Sequence, residues 1–478
     1  MEVLPWTVPL FLATIFALFG AYCFKLKYIL PHFRKNLPPG KQGFPLIGET
    51  ISYIKALKQD RVHEWVQDRV NRFGPVFKTS LMGVKTVVIT GQAGNRFILG
   101  GSDNGLVNYL PASAIKVIGE KSLSNLSGPA HKPIRLAIMS FLKPESIQNY
   151  VTEMNSLIQQ ELIQELGGKD SIYVVPLVKK ITFKVTSTLL FGLRGNGDKK
   201  LDDLLENYNL VLNGTWSIPL NIPGTSFAKS MKARALILQY FSGLVEMKKQ
   251  KFEAGELGPR DDILSKFVSE NFSEEEIFDN IISLMIAGHD TTAVVVTLCI
   301  RLLGRDTDIF NKVLQEQREV VKVKDENGGR IRWSEIQMMK YTWRVAQEVM
   351  RLIPPVAGTF RLAQRDIIFG GFQIPKGWQV MWAAPSTHMD DNIFKDPGKF
   401  DPSRFENSSG IPPYSYVAFG AGPRVCPGSE FGRVQVLLML HYMVTNYRWH
   451  EKIPNEPIER AGMPYPAKGL PINLRPGK

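Results

Sequence analysis

Sulfur is scarce in this chain, whose 478 residues hold three cysteines, Cys23, Cys299 and Cys426. Three thiols cannot form a disulfide framework, so the bulk of the chain belongs in a reducing compartment. Nor does any further Cys or His stand at zinc-ligand spacing around them. No internal repeat or low-complexity block interrupts the sequence. The formal net charge is +13, yet the basic residues are dispersed and no zinc-finger or RNA-binding signature occurs. Nucleic acid is therefore not an expected partner. An anionic membrane surface or an acidic protein partner fits such a charge better.

Charge is missing altogether from one stretch. Val3 to Phe24 is 22 residues without a charged side chain, long enough to span a bilayer as a helix. A cleaved signal peptide would start basic and have a shorter apolar segment. Here Glu2 precedes the run, and Lys25, Lys27, Arg34 and Lys35 follow it. The positive-inside rule then puts the body on the cytoplasmic side. The expected division is residues 1–24 as a transmembrane signal anchor, 25–48 as a basic, proline-rich hinge, and 49–478 as one large domain. The hinge sequence "NLPPGKQGFPLIGE" favours an extended, semi-rigid connector over a helix. Four N-x-S/T sequons, at Asn125, Asn213, Asn271 and Asn407, stay bare if the body is cytoplasmic.

The chain is 44% hydrophobic, ample for a large core. From about Pro144 to Leu302 apolar residues recur at three- and four-residue steps, as in "VTEMNSLIQQELIQEL", which predicts helices. Two stretches predict strands. Val76 to Gly91 has β-branched runs broken by Gly83, and Gly358 to Ala384 has turns at Gly370-Gly371 and Pro375-Lys376-Gly377. The fold class is mainly α with a minor β portion (α+β).

Four sites carry polar groups in unusual settings. "MIAGHDTTAVV", Met285 to Val295, lies in a long apolar helix opened by a Ser273/Glu276 capping box. Buried Asp290, Thr291 and Thr292 need partners, and Gly288 weakens the helix. The pattern suggests a local helix distortion with polar groups facing a pocket; the alternative is threonines bonding back to their own helix carbonyls. Glu348 and Arg351 share one helix face, and Arg404 in "FDPSRF", a loop by its composition, is a candidate partner for an inward-facing pair. Finally, "FGAGPRVCPG" offers Cys426 on a stiff loop just before a helical run. Backbone N–H groups at such a place can hold a thiolate charged. A nucleophile would need a histidine base; a single axial thiolate on haem iron needs no second protein ligand.

Phe419, Gly422, Arg424, Cys426 and Gly428 fit F-x-x-G-x-R-x-C-x-G, which resembles the haem-binding signature of cytochrome P450 monooxygenases. At average composition those five positions match by chance in about one of ten thousand chains this long. In the family's order, Ala287 to Thr292 resembles its oxygen-binding helix motif. Glu348-x-x-Arg351 resembles its ion-pair motif, and Arg404 takes the arginine place of its "PERF"-like loop. The resemblance covers essentially the whole chain and implies the cytochrome P450 fold with an N-terminal transmembrane anchor.

It also implies roles. Cys426 would be the proximal thiolate on the iron of haem b, with Phe419 packed beside it. Arg424, Arg361 in "GTFRLAQRD" and Arg135 in "HKPIR" would reach the haem propionates. His131 stands where the family's W-x-x-x-R motif has tryptophan, and it can still donate to a propionate. Glu348, Arg351 and Arg404 would form a structural network, while Asp290 and Thr291 would meter protons for O2 activation. Electrons would come from NADPH through a separate NADPH–cytochrome P450 reductase docked on a basic face. The implied location is the endoplasmic reticulum membrane, single-pass, with the catalytic domain facing the cytoplasm.

The forms "PPGKQGFPLIGET", "AGHDTTA" and "FDPSRFE" look like plant microsomal members that oxidise terpenoids and steroids, most similar to the triterpenoid oxidases. The segments expected to line the pocket are Asn108 to Gly128, the helix before Thr291, and Pro354 to Phe360; they suit a bulky apolar substrate bound by shape. Two alternatives differ in kind. One is a haem-thiolate isomerase or dehydratase needing no O2, against which the Asp290-Thr291 pair stands. The other is a non-catalytic haem- or sterol-binding membrane protein.

Overall fold

The computed structural model describes residues 36–101, 104–193, 198–256, 258, 262–326 and 328–477, together with Thr14, Ala17 and Leu18. The expected anchor and the first part of the hinge lie outside the described residues, apart from those three. The described part of the hinge, from Asn36, is non-helical as expected. It is tied to the body by bonds such as Lys78 N–H to Pro39 O at 2.7 Å and Gln373 N–H to Asn36 O at 2.8 Å.

Helix accounts for 57% of the chain and strand for 13%, matching the mainly α expectation. Five strands form the main sheet: β1 (Val76–Leu81), β2 (Val84–Ile89), β3 (Leu106–Tyr109), β4 (Gly358–Ala363) and β5 (Gln379–Ala383). Their order is β1-β2-β5-β4-β3, with only β2 and β5 parallel. The predicted hairpin around Gly83 is the β1–β2 pair, and the turn at Gly370-Gly371 joins the strands Ile367–Phe369 and Phe372–Ile374. A C-terminal hairpin pairs β6 (Ile458–Ala461) with β7 (Met463–Pro466).

Six helices position the site: α1 (His131–Leu142), α2 (Val174–Phe191), α3 (Ser226–Glu253), α4 (Glu274–Leu303), α5 (Lys340–Leu352) and α6 (Ser429–Asn446). At 30 residues, α4 is about 45 Å long. The Ser273/Glu276 capping box and three glutamates in its first turn begin it, satisfying free N–H groups and the positive end of its dipole. Among the described residues α4 is the one helix long and apolar enough to cross a membrane, and its burial makes it a core helix instead. It packs against α2, α5 and α6 inside the largest apolar cluster.

The expected distortion at Gly288 is absent, since α4 runs unbroken. Thr291 and Thr292 bond back to Ala287 O at 2.5 Å and Gly288 O at 3.1 Å. Gly288 is there for packing: a Cβ would lie 2.8 Å from Thr186 Cγ2 on α2. "FDPSRF" is not a plain loop either, because Pro402–Phe405 makes one 3-10 turn capped by Asp401.

Candidate functional site

Within a mostly buried stretch of α4, Ala287 is exposed and Ile286, Gly288 and Thr291 are half-buried. With Leu284 and Val295, the residues Ala287, Gly288 and Thr291 form one helical face at three- and four-residue spacing, and that face lines a cavity. The same cavity is lined by Phe419, Arg424 and Cys426 from the segment before α6, Arg361 and Thr359 from β4, and Pro355 and Val356. The remaining lining is mainly apolar, including Trp343 and Met350 of α5 and Trp382 of β5.

Around Cys426 the loop is held by backbone geometry. Gly422 has φ +67°, and a Cβ there would lie 2.0 Å from Leu99 O, so only glycine fits. The Cys426 N–H donates to Phe419 O at 2.9 Å. Burial pushes the Cys426 thiol up, while the Gly428 N–H and the Arg135 charge pull it down. Among the described residues no histidine hydrogen-bonds this sulfur, and no three His, Cys, Asp or Glu side chains converge as a metal cluster. A histidine-activated nucleophile and a multi-ligand zinc site are therefore poorly served. The Trp343 ring stacks on Phe419 with centroids 6.4 Å apart.

Cations gather beside the cysteine without acids. Arg361 is buried and donates to Thr359 Oγ1 at 3.0 Å and Phe360 O at 3.1 Å. Arg424 donates to Leu126 O and to Ser127 Oγ at 3.0 Å, and Arg135 to Val425 O at 2.7 Å. No carboxylate pairs with these arginines among the described residues. Burial, then the neighbouring Arg424, pushes Arg361 down to about 10. Burial, then Arg424 and Arg135, pushes His131 down to about 4. One buried and two half-buried guanidiniums lacking counter-charge among the described residues are suited to receive anions. One thiolate candidate open to the cavity beside such a cluster fits haem, which needs one thiolate on its iron and carries two carboxylates. Arg361 and Arg424 line the cavity; Arg135 and His131 stand outside its lining, Arg135 bonded to the residue before Cys426.

Glu348, Arg351 and Arg404 do come together, away from the cavity. Arg351 Nε and Nη2 meet Glu348 Oε2 at 2.7 Å and Oε1 at 2.8 Å, both side chains fully buried. Arg404 Nε donates to Glu348 Oε1 at 3.3 Å. Arg351 also donates to the carbonyls of His388 and Pro397, each at 2.7 Å. These bonds satisfy a desolvated pair that would otherwise be costly.

Asp290 points away from the cavity and has two partners invisible in the sequence. Lys179 Nζ of α2 lies 3.0 Å from Oδ1, and the Tyr465 hydroxyl of β7 donates to the same oxygen at 2.6 Å. Burial, then the Asp290 charge, pushes the Tyr465 phenol well up. No residue of the segment 108–128 lines the cavity, and the segment is no plain loop, since it holds the end of β3 and a helix at Ala112–Ile118. It is stitched to the first half of α4 instead. Asp279 Oδ2 accepts Lys121 N–H at 2.9 Å, Asn280 Oδ1 accepts Leu123 N–H at 2.9 Å, and Ser283 bonds Ser124 at 2.7 Å.

Fold and site thus define a protein shaped for haem held by one cysteine. The sequence pattern of the cytochrome P450 family matches residues 38–470, and the chain belongs to that family. It is 38% identical to a beta-amyrin 28-monooxygenase of Barbarea vulgaris, covering 95% of this chain and 96% of that one. It is likewise 38% identical to a taxane 13-alpha-hydroxylase of Taxus cuspidata, over 93% of each. Among solved structures, a retinoic acid-bound cyanobacterial CYP120A1 superposes with a TM-score of 0.82 at 30% identity, covering 92% of this chain and all of that one. The chain is a plant-type cytochrome P450 monooxygenase.

Proposed function

We propose that this enzyme hydroxylates a bulky apolar terpenoid, a triterpenoid, diterpenoid or steroid, using O2. The observation that carries the reading is one apolar cavity to which Cys426 and Thr291 are both open. The relatives' names, a beta-amyrin and a taxane oxidase, support the substrate class. When bound, haem supplies O2 activation at its iron, with thiolate donation favouring O–O cleavage.

The chain's own residues then do the following. Cys426 would hold the iron, Arg361, Arg424 and Arg135 would neutralise the propionates, and the neutral His131 would donate a hydrogen bond to one of them. Thr291, whose hydroxyl donates to Ala287 O, would accept a hydrogen bond at its free lone pair and so hold a proton-bearing water in the cavity. Asp290 carries protons inward from Lys179, which keeps 21% of its side chain in water. The aliphatic lining orients substrate by shape and excludes water. Residues 1–24 anchor the enzyme in the endoplasmic reticulum membrane, residues 25–48 set its attitude, and the +13 charge favours docking of an acidic NADPH-dependent reductase. The intact acid–threonine pair favours O2 chemistry over isomerisation, and the relatives named as a monooxygenase and a hydroxylase favour catalysis over mere binding.

The test is a binding and turnover screen with reductase and NADPH, setting terpenoid skeletons against linear fatty acids. Terpenoids should shift the haem spectrum and yield alcohols. Turnover of fatty acids alone would remove the terpenoid class and leave the monooxygenase reading standing.

A further inference from the structure

We propose that His388 is a positioning residue for Cys426, its imidazole pinning the cysteine loop to the buried Glu348–Arg351–Arg404 network. The inference rests on the reading of Cys426 as the iron's ligand and adds a residue that no motif discussed above contains.

His388 ends the short helix Pro385–His388 and is fully buried. Its Nδ1 lies 3.1 Å from the Arg351 carbonyl oxygen, and its Nε2 lies 2.9 Å from the Val417 N–H. A carbonyl can only accept and a backbone N–H can only donate. One tautomer satisfies both: hydrogen on Nδ1, lone pair on Nε2. Arg351 closes the loop by donating from Nη1 to the His388 carbonyl at 2.7 Å. A proton added at Nε2 would oppose the Val417 N–H and face the Arg351 guanidinium, so the ring stays neutral.

The next links run toward the cysteine. Tyr416 stacks on His388 with centroids 5.4 Å apart, is met edge-on by Phe405 at 4.8 Å, and donates to Gln347 O at 3.1 Å. Residues 416 and 417 are thereby fixed from α5, from the Arg404 turn and from His388. Beyond them the loop is loose by composition, with Gly420 and Gly422 both at positive φ. Val417 O accepts Gly420 N–H at 2.9 Å, and Phe419 O accepts Cys426 N–H at 2.9 Å. His388 is thus the side-chain tie through which a rigid ion-pair network sets where a glycine-rich loop begins. A lost outer-sphere bond of this kind loosens a ligand without removing it.

Two conservative variants isolate the Val417 bond. His388→Gln can still accept from Val417 N–H, whereas His388→Asn reaches only the Arg351 carbonyl. The full chain is loaded with haem, reduced under CO, and read for its thiolate-type against its thiol-type absorption band. Circular dichroism confirms the folded fraction at the same temperature. The ratio of thiolate-type to thiol-type complex should fall about tenfold in His388→Asn and stay near wild type in His388→Gln. Equal ratios in both variants and wild type overturn the role of His388 alone. A ratio that merely tracks the unfolded fraction overturns it equally, since that marks a structural residue. A wild-type chain that binds haem without any thiolate-type band overturns the ligand reading, and this proposal with it.

Discussion

Thr291 is the residue on which proton delivery is proposed to turn. Thr291→Ala should keep haem and substrate binding while product per NADPH consumed falls about ten- to a hundredfold, toward the lower range for a positioned proton group. Unchanged coupling, measured as product against NADPH loss, would remove Thr291 from the relay. Two ion pairs grade by burial. Glu348→Ala leaves Arg351 as an uncompensated charge at zero exposure and should cost about 3–5 kcal/mol in urea unfolding. Lys179→Met should cost less, about 2 kcal/mol, because Lys179 keeps 21% of its side chain in water. Equal losses would mean that desolvation does not set the scale. The Glu348–Arg351 pair was legible from helix spacing, whereas Cys426, Arg361 and Arg424 were singled out by the family resemblance, and all three line one cavity. Lys179, Tyr465 and His388 were not legible, since their partners lie 111, 175 and 29 residues away or more and no spacing rule reaches that far.

At the level of elements, period and turn chemistry carried most of the reading. The capping box placed the start of α4, and the glycine turns placed the hairpins. What failed was the inference from composition to contact. The segment 108–128 is nearly uncharged, yet it is fastened to α4 by Asp279, Asn280 and Ser283 rather than lining the cavity. Gly288 is weak by helix propensity, yet its bare Cα makes room for Thr186 of α2. Gly288→Ala gains about 1 kcal/mol of helix propensity and costs about 1–3 kcal/mol of overpacking, because its Cβ would lie 2.8 Å from Thr186 Cγ2. A net loss of stability is expected, and Thr186→Ser, which removes that methyl, should restore it in the double variant. A single alanine variant as stable as wild type in urea would show that α2 and α4 part freely.

For the whole molecule, buried neutral histidines set a floor on pH. Burial pushes His388 and His441 each down to about 3. A folded-state value below the unfolded 6.5 means the unfolded chain binds more protons, so stability is full above about pH 6.5 and lost as pH falls toward 3. From pH 7 to 5 each should remove about 2 kcal/mol, and His441→Gln should flatten the fall by that amount. An unchanged slope would mean that His441 is not held neutral by its burial. The larger question is whether fold, cysteine and acid–threonine helix act together as a monooxygenase. Turnover under isotopically labelled oxygen gas, with reductase, NADPH and a bound terpenoid, tests this most directly. The alcohol should carry one labelled oxygen atom, require NADPH, and vanish with Cys426→Ser. Product formed without NADPH, or carrying oxygen from water alone, would contradict a monooxygenase at this cavity.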